Sequence, residues 1–399
     1  MKLSKFFIGL VTVSTIFMLY ASGLYTNFQS DSALEIVDFS IAKPASEKNI
    51  PSNPDRVPLY GDLHVHTKYS FDAYIFGVTA TPYDAYKYAI GEAIKHPLGF
   101  DMKLKEPLDF YAVTDHGFYM GMIENYADTS SKMSKNEWTK PMHNLNRPEN
   151  VTVESLGARA DLFSSVLTQA IIKPYPYWHP KVWKAWLTNN IQVALQSFDY
   201  DVHKSAWADV ANAAEEFNDP GKFTTFIGYE FTTSTDVEGG NLHRNVIFNS
   251  SDAPIRPWTR IDSINPEDLW TWMDGLRDQG VDSLAMPHNS NGSNGQMFEV
   301  ETFRGSAISK EYSEKRMRNE PVVEITQIKG TSDTHPLLSP DDEWADFEIM
   351  DKRVGSRPPT YSMPQGGYVR DAFLRGLTLE WKGQGNPYKF GVIGSSDTH

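Results

Sequence analysis

The sequence contains no cysteine in its 399 residues, which excludes both disulfide bonds and lipid attachment through cysteine. Positive charge is also scarce, since 37 lysine and arginine residues stand against 51 aspartate and glutamate residues, for a formal net charge of −14. Proteins that bind nucleic acid or anionic membranes usually carry basic patches, so the charge argues against both classes of partner. Stability must therefore come from the core and from any bound metal ions.

Long apolar runs are rare as well, and the longest lies near the N-terminus, from Phe6 to Tyr20. A short basic segment precedes it and Ala21-Ser22-Gly23 follows it, which is the pattern of a secretory signal peptide. We predict a signal peptide over residues 1–23, a periplasmic or secreted mature protein and no stable membrane insertion. An uncleaved membrane anchor is the alternative. Residues 24–57 are polar and proline-containing, and we expect an extended lead-in there.

The composition of the remaining chain favours a large folded domain. With 40% hydrophobic and 13% aromatic residues, the chain can bury a sizeable core, and disorder is not expected. An acidic protein can still bind a small anionic substrate, because metal ions held inside it supply local positive charge.

Two histidines, His64 and His66, stand one residue apart at the end of a predicted strand over residues 57–63. Side chains at i and i+2 leave the same face of a strand, so both imidazoles can reach one cation. The spacing is that of metal ligands, although histidine pairs also occur on surface strands and in cores.

The same arrangement, an apolar run followed by residues of ligand type, recurs four more times. The later examples are Asp115-His116, Glu230, His288, and Asp397 with His399. This rhythm is typical of a parallel α/β barrel whose active site lies at the carboxyl ends of its strands. We therefore predict that these residues converge on one metal centre.

Several candidates have a second interpretation at this point. Asp72 is either a further ligand or a loop cap, and Asp115 either takes part in catalysis or caps a turn. His243 could be a ligand or a substrate contact, and Arg244 could clamp a phosphate, because a guanidinium matches phosphate geometry. Both are equally compatible with a half-exposed hairpin.

Two near-copies of one motif compete for the last position of the centre, Gly330-Thr331-Ser332-Asp333-Thr334-His335 and Gly394-Ser395-Ser396-Asp397-Thr398-His399. We favour the second, because an apolar run leads straight into it, and we expect His335 at the rim. Termini normally lie in surface segments, so a chain ending on a predicted ligand leads us to expect a longer natural sequence.

Between the strands, apolar residues at helical spacing predict helices over residues 82–94, 206–217, 266–279 and 366–380. Arg370 in the last of these either contacts an anion or forms a salt bridge. The segment 117–222 is far longer than an ordinary barrel loop of ~2–6 residues. We predict that it forms an inserted cap subdomain.

Taken together, the motifs Asp-Leu-His-x-His-Thr, Thr-Asp-His, Gly-Tyr-Glu, Pro-His-Asn and Ser-Asp-x-His resemble those of the exported bacterial family called domain of unknown function 3604. They also resemble the polymerase-and-histidinol-phosphatase (PHP) superfamily of metal-dependent hydrolases. The resemblance covers about residues 58–399. It implies a distorted seven-stranded α/β barrel, two or three metal ions and phosphoester hydrolysis. The ligands that it implies are His64, His66, His116, Glu230, His288, Asp397 and His399, with Asp72 at an altered spacing.

The predicted function is therefore hydrolysis of a phosphoester or related ester, with a small anionic substrate. Mixed nitrogen and oxygen ligands suit zinc, manganese or iron, which activate water in such sites. One alternative is an amidohydrolase-type enzyme, which usually needs a carbamylated lysine, and no lysine ends an apolar run here. Another is a noncatalytic metal- or ligand-binding protein on the same scaffold.

Overall fold

The computed structural model describes residues 33–41, 57–170, 198–235, 239–354 and 359–399. The predicted signal peptide over residues 1–23 and most of the lead-in over 24–57 lie outside these residues. Helices and strands are mixed along the chain, which makes the protein an α/β protein. No helix in the described ranges is long and apolar enough to cross a membrane.

The strands are mostly short. In chain order they are β1 (Ile36–Asp38), β2 (Gly61–Asp62), β3 (Ile94–Lys95), β4 (Asp101–Met102), β5 (Phe110–Tyr111), β6 (Thr224–Thr225), β7 (Gly228–Phe231), β8 (Arg244–Phe248), β9 (Asp252–Pro254), β10 (Ser283–Pro287), β11 (Val322–Gln327), β12 (Gly330–Thr331) and β13 (Gly391–Gly394).

The helices follow most of the predicted positions. They are α1 (Phe71–Phe76), α2 (Pro82–Ala89), α3 (Met122–Ala127), α4 (Leu156–Ala170), α5 (Tyr200–Phe217), α6 (Pro266–Arg277), α7 (Lys310–Asn319) and α8 (Val369–Trp381). Helix α2 is shorter than predicted, because Gly91 takes a left-handed backbone with φ of 83° and the chain then enters β3. Helix α5 begins earlier than predicted, where Asp199 caps it by accepting hydrogen bonds from two backbone amides.

Helix α6 shows why the apolar spacing predicted helices correctly. Leu269, Trp270, Met273 and Leu276 are all buried on one side of it, where they join the main core. Asn265 caps its first turn by accepting a hydrogen bond from the amide of Glu267, so the helix begins where the sequence places a capping residue.

Three sheets of three strands each carry the histidines and carboxylates predicted to form the metal centre. Strands β2, β5 and β6 pair in parallel, and β13 pairs in parallel with β11, against which β12 folds back as a hairpin. Isolated parallel bridges join the sheets at Val65 with Thr398 and at His116 with Glu230. Across the described ranges, no closed barrel of hydrogen-bonded strands is formed.

The prediction of purely parallel strands is wrong for the third sheet. Strand β8 runs antiparallel to both of its neighbours, β7 and β10, because the chain returns directly from the end of β7 instead of crossing over through a helix. Strands β7 and β10 therefore share a direction, and only the beginning of β8 reaches the edge where they end. Glu230 lies within β7 rather than after a strand.

The insertion over residues 117–222 is partly described. Helices α3, α4 and α5 belong to it, together with short 3-10 turns between Met133 and Ser155. Phe118 and Tyr126 pack with Phe71 in a core cluster separate from the main one. The prediction that the whole insertion forms a cap subdomain stays a prediction.

The N-terminal cap of α2 generates a test of local stability. Thr81 accepts a hydrogen bond from the amide of Asp84, and the Asp84 carboxylate accepts one from the amide of Thr81. Thr81→Ala removes this capping box and should lower the free energy of unfolding by about 1 kcal/mol in chemical denaturation. Thr378→Ala is the control, since that exposed hydroxyl bonds only within its own helix. An equal loss in both variants would contradict the capping role.

Candidate metal centre

Histidines and carboxylates from seven strands meet at one edge of the fold, among them Glu324 from within β11, and Asp72 joins them from helix α1. Strands β2, β5, β7, β10 and β13 approach this edge with their carboxyl ends, while β8 starts from it, so His243 precedes its strand instead of following it. The residues brought together are His64, His66, Asp72, His116, Glu230, His243, His288, Glu324, Asp397 and His399. All eight metal ligands predicted from the sequence are among them.

The inner group consists of His64, His66, Glu230 and Asp397. The Nε2 atom of His64 lies 3.5 Å from Glu230 Oε2 and 3.4 Å from Asp397 Oδ1. The corresponding distances from His66 Nε2 are 3.4 and 3.2 Å. Ligand atoms ~2.0–2.1 Å from a tetrahedral ion stand about 3.3–3.4 Å apart, which is close to each of these four distances. The ligand atoms of His64, His66 and Asp397 also all lie within 4.8 Å of one another, as the ligands of one ion must.

The burial of these atoms supports the same interpretation. His64 Nε2, His66 Nε2 and Asp397 Oδ1 are buried and find no hydrogen-bond partner among the described residues. Buried polar atoms are normally satisfied, and three unsatisfied atoms that face one another indicate a position for a cation. This arrangement confirms that His64 and His66 face a common point, as their spacing predicts.

The outer group consists of Asp72, His116 and His399. Asp72 Oδ2 lies 2.9 Å from His116 Nε2 and 3.1 Å from His399 Nε2. Asp72 stands in the first turn of α1, from which its carboxylate reaches the cluster, so it faces the centre rather than only capping a loop. The ring of His66 stacks on that of His399 at 4.3 Å between centroids and links the outer group to the inner one.

The lateral group is built around the other oxygen of Glu230. Oε1 lies 2.6 Å from His243 Nδ1 and 3.3 Å from His288 Nε2. Both ring nitrogens of His288 are buried without a hydrogen bond inside the described ranges. Since Oε2 faces the inner group, one carboxylate joins two candidate ion positions.

Glu324 is a member of the cluster that the sequence analysis missed. It lies in β11 and is 2% exposed, and its Oε2 atom is 2.8 Å from His64 Nδ1. A carboxylate on the outer nitrogen of a histidine fixes the tautomer and leaves Nε2 free for a metal ion. The available signal was a glutamate inside an apolar strand, which must find a partner once it is buried.

Asp115, predicted as a catalytic residue, instead positions the ligands. Its carboxylate is fully buried and accepts hydrogen bonds from the amide and hydroxyl of Thr67, both at 2.6 Å, and from the Ser70 hydroxyl at 2.8 Å. Ser70 lies in turn 2.7 Å from His66 Nδ1. Asp115 therefore acts on the centre through the loop that carries His66.

The structure also corrects the prediction that Arg244 clamps a phosphate. Successive side chains of β8 point to opposite faces, so Arg244 points away from the cluster that His243 joins. Its Nε atom donates to Glu320 Oε1 at 2.6 Å, and a second nitrogen donates to the carbonyl of Leu242. Glu320 also pairs with Arg316 at 3.1 Å. Arg244 thus belongs to a buried ion-pair network in the core.

The two copies of the Asp-x-His motif have different surroundings. The bridge between Val65 and Thr398 places the second copy beside the first histidine pair, where that choice expects it, and its role as a metal ligand stays a prediction. In the first copy, Asp333 forms an ion pair with Arg370 at 2.7 Å, and His335 accepts a hydrogen bond from the amide of Leu337. Arg370 therefore forms salt bridges.

Burial and charge act in opposite directions on the groups of the centre. Burial alone would raise the pKa of Glu230, but the charge of the surrounding imidazoles, His116 first, holds it well below the usual glutamate value. Burial would lower the pKa of His64, whereas nearby carboxylates, Asp397 first, raise it well above the usual value. The pKa of His66 is well below its usual value because of burial and neighbouring imidazoles. The lowered pKa of Glu230, and likewise those of Asp72 and Asp397, keep these three carboxylates ionised and available to cations.

Fold and site define an α/β protein with a buried cluster of histidines and carboxylates of the kind that holds metal ions. Residues 53–399 match a family described as "Protein of unknown function (DUF3604)". The chain belongs to this family, which confirms the family that its motifs indicate. Searches of curated proteins and of solved structures gave no match.

The different surroundings of the two motif copies generate a prediction about metal content. Asp397→Ala and His399→Ala each remove an atom that faces the cluster, and the metal affinity of each variant should fall at least about tenfold. His335→Ala is the matched control and should retain the metal content of the parent protein. Inductively coupled plasma mass spectrometry of each purified variant measures the metal that it retains. Metal loss from the His335 variant alone would reverse the assignment.

The position of Arg244 generates a second prediction. Arg244→Met leaves Glu320 with fewer partners in the core, so the free energy of unfolding should fall by about 3 kcal/mol. The folded variant should keep its bound metal. Arg318→Met is the control, because that half-exposed arginine pairs with Asp274 at the surface and its loss should change stability by less than about 1 kcal/mol. If Arg244→Met kept normal stability but lost anion binding, the prediction that Arg244 binds a phosphate would be correct after all.

Proposed function

We propose that this protein is a metal-dependent hydrolase that acts on a phosphoester or a related ester. The observation that carries the proposal is the division of Glu230 between two sets of histidines, with His64, His66 and Asp397 presenting unsatisfied atoms to the same space. A carboxylate shared in this way suits adjacent divalent ions, and multinuclear centres are typical of enzymes that hydrolyse phosphate esters.

The donor set indicates which ions the centre would hold. The inner group offers two imidazoles and two carboxylates, the outer group offers two imidazoles and one carboxylate, and the lateral group offers two imidazoles and the second oxygen of Glu230. Nitrogen and oxygen donors without sulfur suit zinc, manganese or iron. We infer two or three divalent ions, one for each group that is filled.

Ions in these positions would polarise a phosphoryl or acyl oxygen and lower the pKa of bound water. The residues of the chain hold and orient the donors for this chemistry. Glu324 and Ser70 bind the outer nitrogens of His64 and His66, so both rings present Nε2 to the inner group. Asp115 holds the connecting loop through Thr67.

The charge of the centre supports an anionic substrate. The four buried or nearly buried carboxylates are Asp72, Glu230, Glu324 and Asp397, and with neutral imidazoles they carry four negative charges. Two divalent ions would leave the centre neutral, and three would leave it positive. A centre loaded with three ions would therefore attract a small anion, and one loaded with two would no longer repel it, although the chain as a whole is acidic.

We further propose that the strands form a distorted barrel of the PHP kind. Support comes from the shared direction of β2, β5, β7, β10, β11 and β13 and from the bridges between sheets. The contact of β10 with β11 adds to this support, because the proposed ring would close there without a hydrogen-bonded ladder. The N-terminal apolar segment supports export to the periplasm or the medium.

One experiment distinguishes the proposed function from two others. An amidohydrolase-type enzyme would hydrolyse amides in preference to esters, and a noncatalytic protein would bind metal without turnover. Chelator-treated protein should be reloaded with zinc, manganese or iron and assayed on p-nitrophenyl phosphate, bis-p-nitrophenyl phosphate and a p-nitroanilide.

We expect turnover of a phosphate ester that depends on the added metal. Glu230→Gln should lower this turnover by more than about a hundredfold, because changes beyond the direct ligands already lower metal affinity or activity by ~10–100-fold. Arg318→Met, whose arginine is remote from the centre, should retain it. Metal binding without hydrolysis of any of the three compounds would contradict the enzymatic proposal.

A further inference from the structure

We propose that Lys329 recognises the negatively charged group of the substrate, an inference that rests on the proposed hydrolase function. Lys329 lies in the two-residue turn between β11 and β12, where Gln327 pairs with Gly330. Gly330 has a left-handed backbone with φ of 91°, and a side chain there would meet the carbonyl of Glu348 at 2.7 Å. This turn therefore requires glycine next to Lys329.

The side chain of Lys329 reaches the edge of the centre. Its Nζ atom forms an ion pair with Asp397 Oδ2, while Asp397 Oδ1 faces His64 and His66 at 3.4 and 3.2 Å. One carboxylate thus separates the ammonium group from the inner group. The side chain of Lys329 is 30% exposed, so its charge lies between the candidate ion positions and solvent, where an incoming anion would pass.

Lys329 is not needed to orient Asp397. Gln327 Nε2 donates to the same Oδ2 atom at 2.6 Å, and Asn289 Nδ2 lies 3.5 Å from it. Both amides are buried and hold the carboxylate without adding charge. The ion pair with Lys329 is therefore not the only contact that holds Oδ2, and the ammonium group can exchange it for an incoming anion.

Lys329 also differs from the other basic residues of the described chain in its ion-pair partner. Across the described part of the chain, no other lysine or arginine forms an ion pair with a candidate metal ligand. An ammonium group is a compact point charge on a flexible stem, which suits an oxyanion whose other oxygens bind metal ions. The chemical class that fits is a phosphate-type oxyanion.

The test measures binding of inorganic phosphate to metal-loaded protein by isothermal titration calorimetry, which requires no turnover. Lys329→Met removes the charge at similar length, and the dissociation constant of phosphate should rise about tenfold, as expected for loss of a charge-assisted hydrogen bond. Lys329→Arg should restore most of the affinity. Lys389→Met is the matched control, because Lys389 pairs with Glu380 at the surface, and it should bind phosphate as the parent protein does.

Metal content is measured on each variant to separate recognition from positioning. Retained metal with weakened phosphate binding supports the inference. Unchanged phosphate binding overturns it, and so does loss of metal from Lys329→Met, since Lys329 would then act through Asp397. If the parent protein binds phosphate through Lys329 but hydrolyses no ester, the hydrolase proposal fails while Lys329 remains an anion-binding residue. If it hydrolyses uncharged esters and binds no phosphate, only the role of Lys329 fails.

Discussion

A glutamate buried among imidazoles is the interaction on which the centre depends. Glu230 is 1% exposed, and an ionised carboxylate is tolerated at such a position only if positive charge and hydrogen bonds compensate for the lost water. Strand pairing fixes its place, since Glu230 lies opposite Asn245 in β8 and forms a bridge with His116. The groups that compensate it come from strands far apart in sequence, so formation of the centre and packing of these strands beside one another are linked.

Much of the centre could be predicted because its ligands obey strand periodicity. His64 and His66 share a face because they are two residues apart, and each other ligand predicted from a strand lies at or near the carboxyl end of its strand, at the edge where strands of the same direction end. The choice between the two Asp-x-His copies followed from the same rule. An apolar strand runs directly into Asp397, whereas a turn separates Asp333 from β11. These features are local, so the sequence alone carries them.

Other features depend on contacts that local patterns do not contain. The reversal of β8 follows from how the chain returns after β7, and it decides that His243 faces the centre while Arg244 faces the core. Alternation predicts that the two residues point in opposite directions, but it does not say which of them points inward. Glu324 was missed for a related reason, because its partner, His64, is distant in sequence.

Asp397 connects the inner group to the solvent edge of the centre. Its backbone is left-handed, with φ of 52°, which turns the side chain so that one oxygen faces His64 and His66 and the other faces Gln327 and Lys329. An ion held by the first oxygen would withdraw negative charge from the second and so weaken its hold on the ammonium group of Lys329. The positive charge at the edge would then be more available to an anion. On the proposed function, we therefore expect an anion to bind best to protein whose inner group already holds its ion.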